Sequence, residues 1–259
     1  MSLSGAKRTP QPCLQMTQPG LRNPITGIML PRLAVHEALS VTSEKQVQRI
    51  LWGIRTPRTM RPHWALHELS LPYDLRAIET RSMDAQTAEF TALNSRQKIP
   101  VLQDGEFVIT ESAAIVAYLS ERYANSDSRL LPAGESDRAR WLEWCFFIMT
   151  ELDASSLYVI RRHSGLKDVY GDAPAAVAAA RAYFLRQLEC VVEALTRNPK
   201  FLMGERFTTA DILLTTCLTT AIRNEISLPS VCCEYLERTT ARPAYRAAFA
   251  ANYPPNKDR

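Results

Sequence analysis

Four residues in one stretch have the types and spacing to hold a small zwitterion: Ile99, Pro100, Glu111 and Ser112. A cis Ile99–Pro100 bond would turn the Ile99 N–H and C=O outward, where an extended peptide-like ligand can pair as an added strand does. Glu111 and Ser112 fall at the expected start of a helix. There, free N–H groups and the helix dipole favour a ligand carboxylate, and the Glu111 side chain can take an ammonium. Together these groups would bind one amino-acid end and one peptide bond.

The elements that position them follow from local pattern. Short apolar runs at residues 99–102 and 107–109 flank Asp104-Gly105, a dipeptide suited to a type I′ turn, so a β-hairpin is expected. Pro100 opens its first strand and must sit at an edge or bend, since it has no N–H for a ladder. From Ser112 the apolar residues Ala113, Ile115, Val116, Leu119 and Tyr123 recur at helical spacing. Upstream, residues 47–54 contain Ile50-Leu51-Trp52 ending at Gly53, which reads as a buried central strand. A helix carrying Trp64, Leu66 and Leu69 closes at Leu71-Pro72; residues 73–78 alternate as a strand and 83–93 form a second helix. With a right-handed crossover, this order gives an α/β thioredoxin-like sheet.

In residues 98–102, the Asp104-Gly105 turn and residues 111–115, the chain resembles the glutathione transferases. Their thioredoxin-like domain carries a Val/Ile-Pro cis bond, a hairpin, and a Glu/Asp-Ser pair at the next helix start. The resemblance implies that Lys98, Ile99, Pro100, Glu111 and Ser112 bind glutathione. It also implies that a Ser, Tyr or Cys at the start of the first helix stabilises the glutathione thiolate. Residues 55–62 hold that position. Aligning Arg58 and Arg61 with the common Ser-Arg-x-x-Arg pattern puts Pro57 where the serine would stand, whereas Thr56-Pro57 resembles the Cys-Pro start of the omega class with threonine for cysteine. If Thr56 capped the helix, Pro62 would fall six residues inside it, at a cost of about 3 kcal/mol. A cap at Thr59 puts Pro62 in the first turn, which ranks Thr59 ahead of Thr56 as the catalytic hydroxyl. The remaining alternative is activation by Arg58 or main-chain N–H groups. With no cysteine in the segment, a mixed-disulfide mechanism is disfavoured.

Beyond a polar linker at 126–136, the pattern becomes helical. Residues 136–162 and 173–198 are long amphipathic segments. Thr208 and Asp211 form a capping box of the kind that glutathione transferases bury at the start of a central helix, with Phe207 and Ile212 as a hydrophobic staple. With shorter helices at 231–238 and 242–251, the resemblance spans residues 46–253. The domains expected are a disordered leader at 1–45, a glutathione-binding domain at 46–125, an all-helical domain at 137–253 and a tail at 254–259. A second substrate would lie between the domains. Trp144, Phe147, Tyr158, Arg161, Arg162 and His163 are candidate walls, with Tyr158 and Arg162 preferred because a phenol and a cation can polarise an electrophile.

Composition excludes other classes. The 259 residues are 46% hydrophobic, enough for a substantial core. The longest apolar run, residues 141–149, is far short of the roughly 20 residues of a membrane span. The leader, with five prolines and a net charge of +3 from five Lys/Arg and two Glu, accounts for most of the formal charge of +4, so no basic face for nucleic acid is indicated. The leader is read as an extension, not a targeting peptide, and a cytoplasmic setting is expected. Six cysteines lack a Cys-x-x-Cys spacing and read as thiols in a reducing compartment, with Cys145, Cys190 and Cys217 on apolar helix faces. His63 and His67 read as a surface pair and no metal site is expected. The expectation is a homodimeric transferase that takes glutathione as substrate and joins it to a hydrophobic electrophile. Alternatives are a non-catalytic interaction module, or a lyase, dehalogenase, isomerase or peroxidase on the same fold.

Overall fold

The computed structural model describes residues 48–123 and 130–255. The leader, Cys13, residues 126–129 of the linker and most of the tail lie outside them. Four strands form one sheet in the order β2-β1-β3-β4, with β1 Arg49–Trp52, β2 Asp74–Arg76, β3 Val101–Asp104 and β4 Phe107–Thr110. β1 pairs parallel to β2 and antiparallel to β3, which in turn pairs antiparallel to β4. With partners on both edges, β1 is central, and Leu51 and Trp52 are buried as its apolar run requires.

Helix α1, Pro57–Glu68, crosses from β1 to β2; α2, Ala88–Leu93, follows a short 3₁₀ turn; and α3, Ser112–Tyr123, follows the hairpin. Gly53 ends β1 at φ +120°, and a Cβ there would stand 2.7 Å from Ile99 Cβ and 2.8 Å from Thr59 Cγ2. Only glycine allows the start of α1 and the loop before Pro100 to meet this closely.

Two expectations about α1 are corrected. The N-cap is Thr56, not Thr59: Thr56 is extended at φ −128°, ψ 156° and its side chain accepts from the Thr59 N–H, while Thr59 at the third helical position returns a bond to the Thr56 N–H. Pro62 therefore does lie inside the helix. The reciprocal box fixes the first turn, and burial of Met60, Trp64 and Leu66 in the core holds the rest. His63 is fully buried rather than on the surface, with Nδ1 2.7 Å from the Tyr73 hydroxyl and Nε2 3.2 Å from the Gly53 carbonyl.

The helical half begins with α4, Glu135–Phe147, which continues without a break through a π-helical stretch, Ile148–Leu157, then α5, Tyr158–Ile160, and a second π-helical stretch, Arg161–Gly165. The wider turns rotate the later side chains away from a 3.6-residue register, which periodicity alone does not anticipate. After α6, Lys167–Tyr170, come α7, Pro174–Arg197, α8, Thr209–Arg223, α9, Ser230–Thr240, and α10, Pro243–Asn252. Helix α8 is the axis of the half. The capping box at its start is present, and Asp211 accepts from the Leu202 N–H at 3.0 Å, the Thr208 N–H at 2.8 Å and the Tyr235 hydroxyl at 2.9 Å. Cys145 and Cys217 are buried, but Cys190 is exposed: the buried stripe of α7 runs through Phe184, Leu188, Val191 and Leu195, and Cys190 sits one residue off it.

Candidate functional site

The start of α1, the loop before β3 and the start of α3 open on one cleft, whose lining includes Thr56, Arg58, Lys98, Ile99, Pro100, Glu111 and Ser112. The Ile99–Pro100 bond is cis. Asn94 fixes the loop before it, donating from Nδ2 to the Lys98 carbonyl at 2.8 Å. Glu111 stands at φ +67°, uncommon for a non-glycine residue and frequent at ligand clamps. Its carboxylate accepts from Arg96 at 2.8 Å, and Arg96 also donates to Thr110 Oγ1 at 2.6 Å. A ligand ammonium at Glu111 would share the carboxylate with this exposed arginine.

Ser112 begins α3, and its Oγ accepts from Arg61 Nη1 at 3.0 Å. Arg61 is 1% exposed, yet fully engaged: Nε donates to Thr216 Oγ1 at 2.8 Å and Nη2 to Asp153 Oδ2 at 2.7 Å. Asp153 also receives Arg58, Nη2 to Oδ1 at 2.7 Å and Nε to Oδ2 at 3.3 Å. Burial alone would raise the Asp153 carboxyl, but Arg61 and Arg58 hold it below the usual carboxylate value. For Arg58, burial is the largest single influence and opposes the charge, but the hydrogen bond and charge of Asp153, with smaller contributions from Tyr158 and Cys217, together raise the guanidinium's pKa.

The two threonines have different places. Thr56 lines the cleft, whereas Thr59, ranked first as the reactive hydroxyl in the sequence, is fully buried behind it. Their hydroxyls are 2.9 Å apart. Asn252, also fully buried, braces the pair from α10: Oδ1 is 2.7 Å from Thr59 Oγ1, Nδ2 donates to the Thr56 carbonyl at 3.0 Å, and its main-chain carbonyl accepts from the Arg55 N–H at 2.8 Å. Because Thr59 has Asn252 Oδ1 and the Thr56 carbonyl as acceptors for its own proton, the Thr56 hydroxyl proton can turn toward the cleft. Pro57 has no N–H, and the Thr59 N–H is spent on Thr56 Oγ1, which leaves the Arg58 N–H as the first-turn amide that the helix does not use.

On the far wall, Tyr158 and Arg161 line the cleft, and the Arg58 guanidinium lies 4.5 Å over the Tyr158 ring. Arg162, preferred over Arg161 in the sequence, is not among the cleft-lining residues; its guanidinium lies 4.4 Å over the Tyr170 ring and 5.8 Å over the Tyr158 ring. Trp144 and Phe147 border a separate depression with Arg140 and Glu143, and His163 Nδ1 lies 3.0 Å from the Gly171 carbonyl. Among the described residues no group of three His, Cys, Asp or Glu side chains is placed to hold a metal ion.

With this geometry in hand, comparison with known proteins is direct. Residues 47–121 match the family model of the glutathione S-transferase N-terminal domain. Glutathione S-transferase 3 of Zea mays is 31% identical over 163 residues, covering 60% of this chain and 70% of the relative. The chain belongs to the glutathione S-transferase family. Glutathione S-transferase theta-3 of Mus musculus is 30% identical over 148 residues, and the match spans 56% of this chain and 61% of that relative's length. A crystal structure of a glutathione transferase from Methylococcus capsulatus strain Bath superposes with a TM-score of 0.65 at 29% identity, covering 79% of this chain and 98% of that one. The residues around the cleft to which sequence reasoning gave no role are Arg61, which entered only through the Arg-x-x-Arg spacing, and Arg81, Asp153 and Asn252, which nothing local marks.

Proposed function

We propose that the chain binds glutathione in this cleft, holds its thiol as thiolate at the start of α1, and joins the sulfur to an electrophile. What carries the reading is the convergence on one cleft of the α1 start, with Thr56 and Arg58, and the segment from Lys98 to Ser112. In this reading the γ-glutamyl carboxylate meets Ser112 and the positive end of α3, its ammonium meets Glu111, the cysteinyl main chain pairs with Ile99, and Lys98 takes the glycyl carboxylate. The sulfur then faces Thr56, the Arg58 N–H and the positive end of α1. Lowering a thiol pKa from about 8.5 to 7 takes about 2 kcal/mol, within reach of one hydroxyl hydrogen bond plus a helix dipole. The thiolate forms the C–S bond with its lone pair, and the leaving group departs with the pair of the bond that breaks. The cleft supplies proximity and the thiolate supplies nucleophilicity.

A specific observation favours a second reading, a non-catalytic glutathione-binding module: Pro57, at the first position of α1, offers neither a hydroxyl nor an N–H to sulfur. Calorimetric titration with glutathione, with thiolate absorbance followed across pH in the same samples, separates the two. Conjugation requires binding with a thiol pKa well below that of free glutathione. Binding with an unshifted thiol favours the module, and no binding at millimolar glutathione rejects both. The reading carries with it a homodimer acting in the cytoplasm, and light scattering on the full chain tests the assembly.

A further inference from the structure

Glutathione as placed above is assigned to Ser112, Glu111, Lys98 and the start of α1, and the same cleft is also lined by Arg81 and Arg161, to which that placement gives no role. Arg81, in the loop after β2, donates to the Tyr170 hydroxyl at 3.0 Å and so meets the helical half. Arg161, half-buried, lines both the main cleft and a smaller depression that continues past Tyr158 toward Pro57 and Leu157. Among the described residues, neither Arg81 nor Arg161 has a carboxylate within ion-pair distance, whereas Arg58 has Asp153 and Arg96 has Glu111. Burial, together with the neighbouring charges of Arg81 and Arg58, lowers the Arg161 pKa. Like charges crowded on a partly dry wall repel, and the arrangement is most favourable with an anion among them.

We propose that the electrophile this enzyme takes carries an anionic head, a carboxylate or a group of the same charge, seated on Arg161 and Arg81, with its apolar body against Tyr158, Pro57 and Leu157. The inference rests on the glutathione reading above. It departs from a purely hydrophobic co-substrate, because the wall opposite Thr56 carries the guanidiniums of Arg81 and Arg161 beside the Tyr158 phenol. An arginine fork matches a carboxylate in two parallel bonds, and the head would set the orientation of the reactive carbon against the sulfur.

The test is a binding comparison that needs no turnover and no free thiol: S-(4-carboxybenzyl)glutathione against its methyl ester, by calorimetry on the full chain. The carboxylate should bind about tenfold more tightly than the ester, and Arg161→Gln or Arg81→Gln should each cut that preference to about twofold while glutathione itself binds within about twofold of the parent. Melting temperature checks that both variants fold, and the ligand comparison on the parent chain stands without them. Equal affinity for acid and ester overturns the proposal. So does a loss of glutathione binding in the arginine variants as large as the loss for the acid, because the guanidiniums would then be holding glutathione's own carboxylates. Two glutathione molecules per chain, the second displaced by the carboxybenzyl group, also overturns it. An unshifted thiol pKa beside an intact acid preference would reject the thiolate reading alone.

Discussion

Asn252 carries no charge and touches no solvent, yet both ends of its amide brace the first turn of α1. Replacing it with alanine removes one donor from the Thr56 carbonyl, which keeps the Met60 N–H and the Thr59 hydroxyl, and leaves that carbonyl as the acceptor for the Thr59 proton, which should cost about 1–2 kcal/mol in urea unfolding and raise the pKa of bound glutathione. The threonines should separate cleanly. Thr56→Val should raise the bound thiol's pKa by more than Thr59→Val does, since only Thr56 lines the cleft; thiolate absorbance in the two complexes reads this, and the opposite order would return the reactive role to Thr59. Ser112→Ala should weaken glutathione binding about tenfold at nearly unchanged melting temperature, because Arg61 keeps Thr216 and Asp153 as partners; unchanged affinity would remove Ser112 from the ligand site.

Elements written in short-range pattern were legible, and elements fixed by distant partners were not. The hairpin, the helix from Ser112 and the box of Thr208 and Asp211 each depend on residues within a dozen positions, and each is present; the hairpin's turn is corrected by one residue, since Asp104 pairs with Phe107 and the loop is Gly105-Glu106 with positive φ at Gly105 alone, so it is not the type I′ turn expected on Asp104-Gly105. The cap of α1 was misplaced because Pro62 argues locally for a later start, while the deciding contacts come from Asn252, 196 residues away, and from the packing of His63 and Trp64. Arg161 and Arg162 part at the π-helical stretch, where the register slips, and Arg161 is the one that lines the cleft. Asp153 meets Arg61 across 92 residues, beyond any motif. At the legible box the consequence is quantitative. Asp211→Ala would leave the Leu202 N–H and the Thr208 N–H buried without partners, at about 1–3 kcal/mol each, and the Tyr235 hydroxyl with only its 3.4 Å bond to the main-chain carbonyl of residue 211, so a total loss above about 2 kcal/mol is expected, against about 1 kcal/mol for Thr208→Ala. Equilibrium unfolding of the pair checks the ratio.

For the whole molecule, the tie between the sheet and the helical half is electrostatic as well as apolar, and this sets its response to acid. Arg242 to Glu68, at 2.6 Å, also joins α1 to the C-terminal helices, but its arginine is 31% exposed and screened, so it contributes less than Arg61 to Asp153, which are 1% and 9% exposed. Asp153→Asn would leave the buried Arg61 guanidinium, and the partly exposed Arg58 beside it, without their counter-charge and should cost about 3 kcal/mol at pH 7. His63 and Asp153 act in different pH windows. Burial holds His63 down at about 4 from 6.5, so between those values the unfolded chain takes up a proton that the folded one refuses; stability should fall by about 3 kcal/mol as pH drops from 6.5 to 4 and level off below. Asp153 is depressed below 3.8, so its contribution is complete above that value and is lost as pH falls through the folded pKa. Urea unfolding of the parent, His63→Gln and Asp153→Asn from pH 7.5 to 3 should therefore show His63→Gln flattening only the limb between 6.5 and 4. The gap between parent and Asp153→Asn should stay constant across that limb and close only below it. If instead the gap closes already between 6.5 and 4, the buried carboxylate is not held by its two arginines, and the path from Asp153 through Arg61 to Ser112 loses its electrostatic basis.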